Sequence, residues 1–249
     1  MIAPRPSVPT IPARAKAPRL GVTVVAELVD AIVRGDLPPG STLPPESVLC
    51  EQFAVSRTVI RESVKRMEEK GLVTVAQGRG TQVAPASAWK MADETVFAAL
   101  VANDATLGTL DDLSAVRAAL EGVIARDAAT QPAQEDVERL AGALQQMRET
   151  VTDQTAFGEA DVVFHAIVGE MSKNRLADSI VRTLFMQART SARFSRPTRY
   201  EITLAEHEAV YEAIAAADPD AAEQAMKRHI LDAWQRRRPP RPDEGDTSD

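Results

Sequence analysis

The chain has 249 residues, 44% of them hydrophobic, enough for one large domain or two small ones. A single cysteine excludes an internal disulfide framework and a thiolate metal cage, and 4% aromatic content favours helices over a β-sandwich. The net charge of -7 argues against a nucleic-acid partner only until it is divided. Residues 1–84 carry 11 basic against 8 acidic side chains, a net +3, and residues 85–249 carry 18 against 28, a net -10. A mildly basic front joined to a strongly acidic body implies two domains with different partners.

Residues 1–20 hold five prolines and four basic side chains with no acid, and read as a disordered tail. They lack the apolar stretch of a secretory signal. No run of 18 apolar residues follows anywhere, so the expected location is the cytoplasm and no membrane is a partner. Val24, Val25, Leu28, Val29 and Ile32 recur at helical spacing, and Gly35 ends that helix. After the rigid turn Leu37-Pro38-Pro39-Gly40, a second helix is expected over Pro45–Phe53, with Leu49 and Phe53 inward and Cys50 a small core residue. Ser56 is a good N-cap for a third helix, Arg57 to Glu69, whose core side is expected to hold Val59, Ile60, Val64 and Met67. Its other face presents Arg57, Thr58, Arg61 and Lys65. Gly71 sits where a C-cap glycine belongs, and a hairpin follows from Leu72 to Val83 around the turn Gln77-Gly78-Arg79-Gly80.

This element order is that of a winged helix-turn-helix, expected over 21–84. A helix N-terminus offers free N–H groups to a phosphate, exposed arginines reach guanine edges, and a Gly-rich wing tip approaches the DNA backbone closely. Residues 37–83 resemble the N-terminal domain of GntR-type transcription regulators, most specifically in SRTVIRESVKRMEEKGLV and the GRGT wing. The resemblance implies that Arg57 and Arg61 contact operator DNA from the recognition helix, with Gly78 entering the minor groove. The expected DNA-binding set is therefore Ser47, Ser56, Arg57, Thr58, Arg61, Lys65, Gly78 and Arg79. One departure stands out. In the fatty-acid-responsive member of the family a DNA-contacting arginine occupies the place of Ser47; serine reaches a phosphate but makes no bidentate guanine contact.

Residues 85–90 (PASA and its neighbours) read as a hinge, with Trp89 opening the second domain. From there the periodicity predicts helices over about 91–102, 111–129, 134–150, 156–171, 174–194, 201–216 and 220–237, an all-α bundle across 91–238. Asp218-Pro219 makes an N-cap followed by proline at N1. Pro239 to Asp249 reads as a second disordered tail. No βαβ alternation and no Gly-rich phosphate loop is present, which disfavours a nucleotide-binding fold.

All three histidines, His165, His207 and His229, lie in this body. Asp161 precedes His165 by four residues, so the two share a helix face. The four groups could converge as an Asp-His-His-His metal site, for which Zn is favoured and Ni, Mn or Fe are compatible; equally, they could be scattered surface and core residues. Residues 110–237 resemble the FCD effector domain of the FadR-like branch of GntR regulators, and that resemblance selects the metal site, with all four ligands present in order. It also implies that Arg117, in VRAALE, faces a cavity, where a guanidinium and a divalent ion together suit a small carboxylate. The competing expectation is a surface pair between Arg117 and Glu121. Glu206, beside His207, points to a different helix face.

The function these features imply is a homodimeric transcription regulator, a repressor, that binds a short palindromic DNA operator and is released by a small organic acid. A weak likeness of APASAW to sugar-acid regulators points to a sugar acid. The alternative is a metalloenzyme acting on a small carboxylate, with an accessory DNA-binding head. It is disfavoured because no HExxH motif and no nucleophile stands beside the ligands.

Overall fold

The computed structural model describes residues 20–76, 78, 80–104, 106–189, 191 and 199–238. The expected tails, apart from Leu20, and also Arg79 and residues 192–198 lie outside them. The chain divides into two compact units, Met1–Lys90 and Met91–Asp249.

The first unit begins with α1, Leu20–Arg34, whose buried residues are the five apolar positions read from the sequence. Gly35 then adopts φ +86°, a conformation that costs glycine nothing. Helices α2 (Glu46–Phe53) and α3 (Arg57–Glu69) are joined by a tight turn in which Ala54 is left-handed. The Ser56 hydroxyl accepts the Val59 N–H at 3.4 Å, so Ser56 serves as the N-cap. The inner side of α3 departs from expectation. Val59 and Val64 are only half-buried, while Ser63 is buried and donates to the Val59 carbonyl at 2.8 Å, which satisfies its hydroxyl inside the helix. Phe53 and Cys50 are likewise half-buried.

Strands β1 (Val73–Ala76) and β2 (Gly80–Val83) pair antiparallel, Val73 opposite Val83. The sequence reading missed a third edge: residues 41–43 pair with β2 through Val83 N–H to Ser41 O and Leu43 N–H to Thr81 O, both 2.8 Å. The segment expected as a hinge bonds back to this unit. Ala86–Ala88 form a short 3-10 turn, the Trp89 indole donates to Ala84 O at 3.1 Å, and Lys90 N–H donates to Lys70 O at 3.0 Å. Gly71, at φ +75°, lies so close to the Ala88 carbonyl that a Cβ would collide with it.

The second unit comprises α4 (Glu94–Asn103), α5 (Gly108–Thr130), α6 (Gln134–Glu149), α7 (Gln154–Ser172), α8 (Arg175–Arg189), α9 (Tyr200–Ala215) and α10 (Pro219–Arg237). Side-chain caps start several of them: Asp93, Asp153 and Asp218 each accept N–H groups of the first turn. Central helix α5 packs against α7, α8, α9 and α10, so it is buried on most sides. That explains why Arg117 and Glu121, in its middle, are interior residues. A continuous apolar core joins Phe157, Phe164, Leu140, Leu144, Met147 and Ile214 across α6, α7 and α9. Burying each large side chain contributes about 1.5–3 kcal/mol.

Candidate functional site

In the second unit Asp161 and His165 from α7, His207 from α9 and His229 from α10 bring one donor atom each to within 4.8 Å of one another. His207 and His229 are buried; Asp161 and His165 lie at the rim. Each ring turns Nδ1 toward an acceptor. His207 Nδ1 is 2.8 Å from the Thr203 carbonyl and His229 Nδ1 3.1 Å from Glu206 Oε2, both hydrogen bonds, while His165 Nδ1 stands 2.7 Å from Glu121 Oε2 at ion-pair distance without hydrogen-bond geometry. Such outer partners fix ring orientation and leave Nε2 for an ion.

The donor set fits a divalent metal. His207 Nε2 is buried without a hydrogen-bond partner among the described residues, yet it stands 3.2 Å from Asp161 Oδ1, and His165 Nε2 is 3.9 Å from that same oxygen. Metal bonds of about 2.0–2.2 Å separate neighbouring ligands by roughly 3–3.5 Å. The shifts of Asp161 and His229 agree with ligand roles, and that of His165 runs the other way. Burial works against ionising Asp161, but His207, 3.2 Å away, and the fields of His165 and His229 hold its carboxyl well below the usual range. Burial first, then His207 and His165, pushes His229 well below its usual value, so that ring is neutral, as a ligand must be. Burial also opposes charge on His165, but Glu121 outweighs it and raises the value.

Two carboxylates back these rings, each clamped by an arginine. Glu206 receives both Nη atoms of Arg236 at 2.6 Å, and Glu121 receives Arg117 Nε at 2.7 Å. Burial would raise the Glu121 pKa, but Arg117 and His165 lower it to about 2. The Arg117 guanidinium lies 3.9 Å over the Phe185 ring, a cation–π contact. Arg117, Glu121 and His165 line a cavity of about 230 Å³ together with Val162, Arg182 and Phe185. Arg237 is the further cation of this region, lowered to about 10 by burial and by the nearby Arg117 and Arg236, against the pull of Asp161.

In the first unit Arg57, Thr58, Arg61 and Lys65 stand exposed along α3, with Ser47 exposed on α2 and Gly78 at φ +80° on the wing tip. Arg61 does not stand alone: its Nε donates to both oxygens of Glu46, at 3.0 and 3.1 Å.

A profile of the bacterial regulatory proteins of the gntR family matches residues 20–83, and an FCD domain profile matches residues 112–232. The galactonate operon transcriptional repressor of Escherichia coli (strain K12) is 34% identical over 220 residues, which cover 86% of this chain and 94% of that one. This chain belongs to the GntR family, in its FadR-like FCD branch. The HTH-type transcriptional regulator LutR of Bacillus subtilis (strain 168) is 31% identical, covering 80% of this chain and 92% of its own. A solved structure titled for Lar, which controls expression of the Listeria monocytogenes agr system and mediates virulence, shares the fold with a TM-score of 0.53. Its identity is 19%, and the match covers 90% of this chain and 98% of that one. These curated relatives are regulators and repressors, and the chain is a GntR-family transcription regulator, not an enzyme. Among the described residues no helix is long and apolar enough to cross a membrane.

Within this GntR regulator the structure brings Asp161, His165, His207 and His229 together and sets Arg117 beside them. Arg117 does pair with Glu121, but the pair is buried, not on the surface as the competing expectation had it. Arg79 lies outside the described residues. Four participants escaped the sequence reading. Glu121 reads as half of an ordinary i,i+4 pair, Arg236 and Arg237 sit in a basic run at a helix end, and Glu206 does leave the His207 face, in order to meet His229.

Proposed function

We propose that this regulator is a homodimeric, cytoplasmic repressor that a small organic acid releases from a short palindromic operator. Two copies of the winged head, each reading with Arg57, Thr58, Arg61 and Lys65, suit a two-fold DNA site. Ser47, Ser56, Gly78 and Arg79 would add backbone contacts. Dimerisation, metal and effector binding are assigned to the helical body. Asp161, His165, His207 and His229 would hold the ion, with zinc the first choice for an N/O set and Ni, Mn or Fe compatible. A bound ion supplies positive charge for a carboxylate ligand.

The observation that carries this reading is the convergence of those four donors beside Arg117, whose Nε is taken by Glu121 while both Nη atoms lack a partner among the described residues. The free side of the guanidinium suits a carboxylate. The galactonate operon repressor and the Uxu operon transcriptional regulator of E. coli, 34% and 32% identical, favour a sugar acid. Coupling of about 1–3 kcal/mol between effector and DNA changes operator affinity about 5–150-fold.

The test is a thermal-shift screen of the zinc-loaded protein against galactonate, other sugar acids and short 2-hydroxy acids, followed by DNA release with each stabilising acid. At least one acid should raise the melting temperature and weaken operator binding, and Arg117→Lys should blunt both effects. If no acid moves the melting curve, the sensor reading fails.

A further inference from the structure

The exposed contact between α2 and α3 has a geometry that a simple ion pair does not require. Glu46 opens α2, and both its oxygens face a single nitrogen of Arg61, the Nε. The two terminal nitrogens, Nη1 and Nη2, have no partner among the described residues, and the Arg61 side chain remains 68% exposed. Arginine can approach the O6 and N7 atoms of guanine end-on, through Nη1 and Nη2, or side-on, through Nε and one Nη. Occupying Nε removes the second option and fixes the plane of the fork for the first. Glu46 also places a negative charge beside Arg61 and Lys65, where it opposes any phosphate that approaches without a matching base.

We propose that Glu46 is a specificity-determining residue of the DNA-binding head: by holding Arg61 through Nε, it makes the arginine read a guanine end-on while weakening contact with unmatched DNA. This rests on α3 being the reading helix. The two effects of Glu46 oppose each other in affinity but add in discrimination, and that separates the proposal from a stabilising surface pair.

The experiment uses the full-length protein and the duplex that the wild type selects from a random-sequence pool. Three ligands are compared: that duplex, the same duplex with each guanine replaced in turn by 7-deazaguanine, and an unselected duplex of equal length. Wild type should show one guanine per half-site whose replacement costs roughly 5–150-fold, and Arg61→Ala should abolish that penalty. Glu46→Gln should keep the wild-type melting temperature, bind the unselected duplex as tightly as wild type or several-fold more tightly, and reduce the penalty at that guanine to threefold or less. Glu46→Asp, one methylene shorter, should fall in between. Tighter binding to all duplexes with the guanine penalty intact would overturn the proposal and reduce Glu46 to a repulsive charge. So would a parallel loss on all three. If Arg61→Ala keeps the penalty, the assignment of α3 fails first, and the role of Glu46 falls with it.

Discussion

The two units each contain an arginine–glutamate pair at almost the same distance, and the pairs do different work. Arg61–Glu46 in the head is 3.0 Å long and lies in solvent. Arg117–Glu121 in the body is 2.7 Å long, and each side chain is about 5% exposed. In water an ion pair gains little, with a median of about 0–1 kcal/mol, so the head pair contributes orientation more than stability. Inside the bundle both partners have lost their hydration. The pair then persists because each group satisfies the other, and removing one strands the second. Location, more than contact geometry, decides what such a pair is for.

The sharpest way to break this comparison is to delete one member on each side. Glu121→Ala should cost about 3–5 kcal/mol in denaturant unfolding, because the Arg117 charge stays buried, whereas Glu46→Ala should cost no more than about 1 kcal/mol. Equal losses would refute the contrast. Acid offers a second handle on the buried member. The folded-state pKa of Glu121, about 2, lies below its ordinary value of 4.5, so its stabilising effect is complete above pH 4.5 and is lost as the pH falls toward 2. Metal-stripped protein should lose stability across that window, and Glu121→Gln should flatten the dependence there; an unchanged acid limb would remove Glu121 as its source. A smaller effect is expected at the other clamped carboxylate. Glu206→Gln should weaken zinc binding about 10–100-fold in competition with a chelator, because His229 loses its charged acceptor. Unaltered affinity would show that the carboxylate behind that ring does not tune the site.

The sequence made some parts of this molecule readable and hid others for identifiable reasons. The apolar stripe of α1, the Ser56 cap and the Asp218-Pro219 helix start are local signals, and they appear in the structure where the residues put them. Scarce histidines and a carboxylate and imidazole sharing a helix face at i,i+4 made the four donors candidates, and the resemblance to the FCD domain selected them as a site. Glu121 and Glu206 were hidden because acidic residues are abundant, and a neighbour four residues away on a helix usually means a solvated pair. Burial of α5 on most sides is a tertiary fact that the sequence around Arg117 does not announce. Ser63 misled for a similar reason: a small hydroxyl that bonds its own helix turn can sit in a core where an apolar residue is expected. The pairing of residues 41–43 with β2 is made by backbone groups, which every residue carries, so no side-chain pattern marks it.

The anchoring of residues 84–90 bears on recombination. A chimera that grafts this head onto another body at the end of the wing severs the Trp89–Ala84 and Lys90–Lys70 hydrogen bonds and leaves Gly71 facing a gap where the Ala88 carbonyl was. A graft made after Lys90 carries the whole clasp with it. The natural seam for exchanging heads among regulators of this kind therefore lies about seven residues beyond the last strand, at the point where the chain stops bonding back to the C-terminal end of α3.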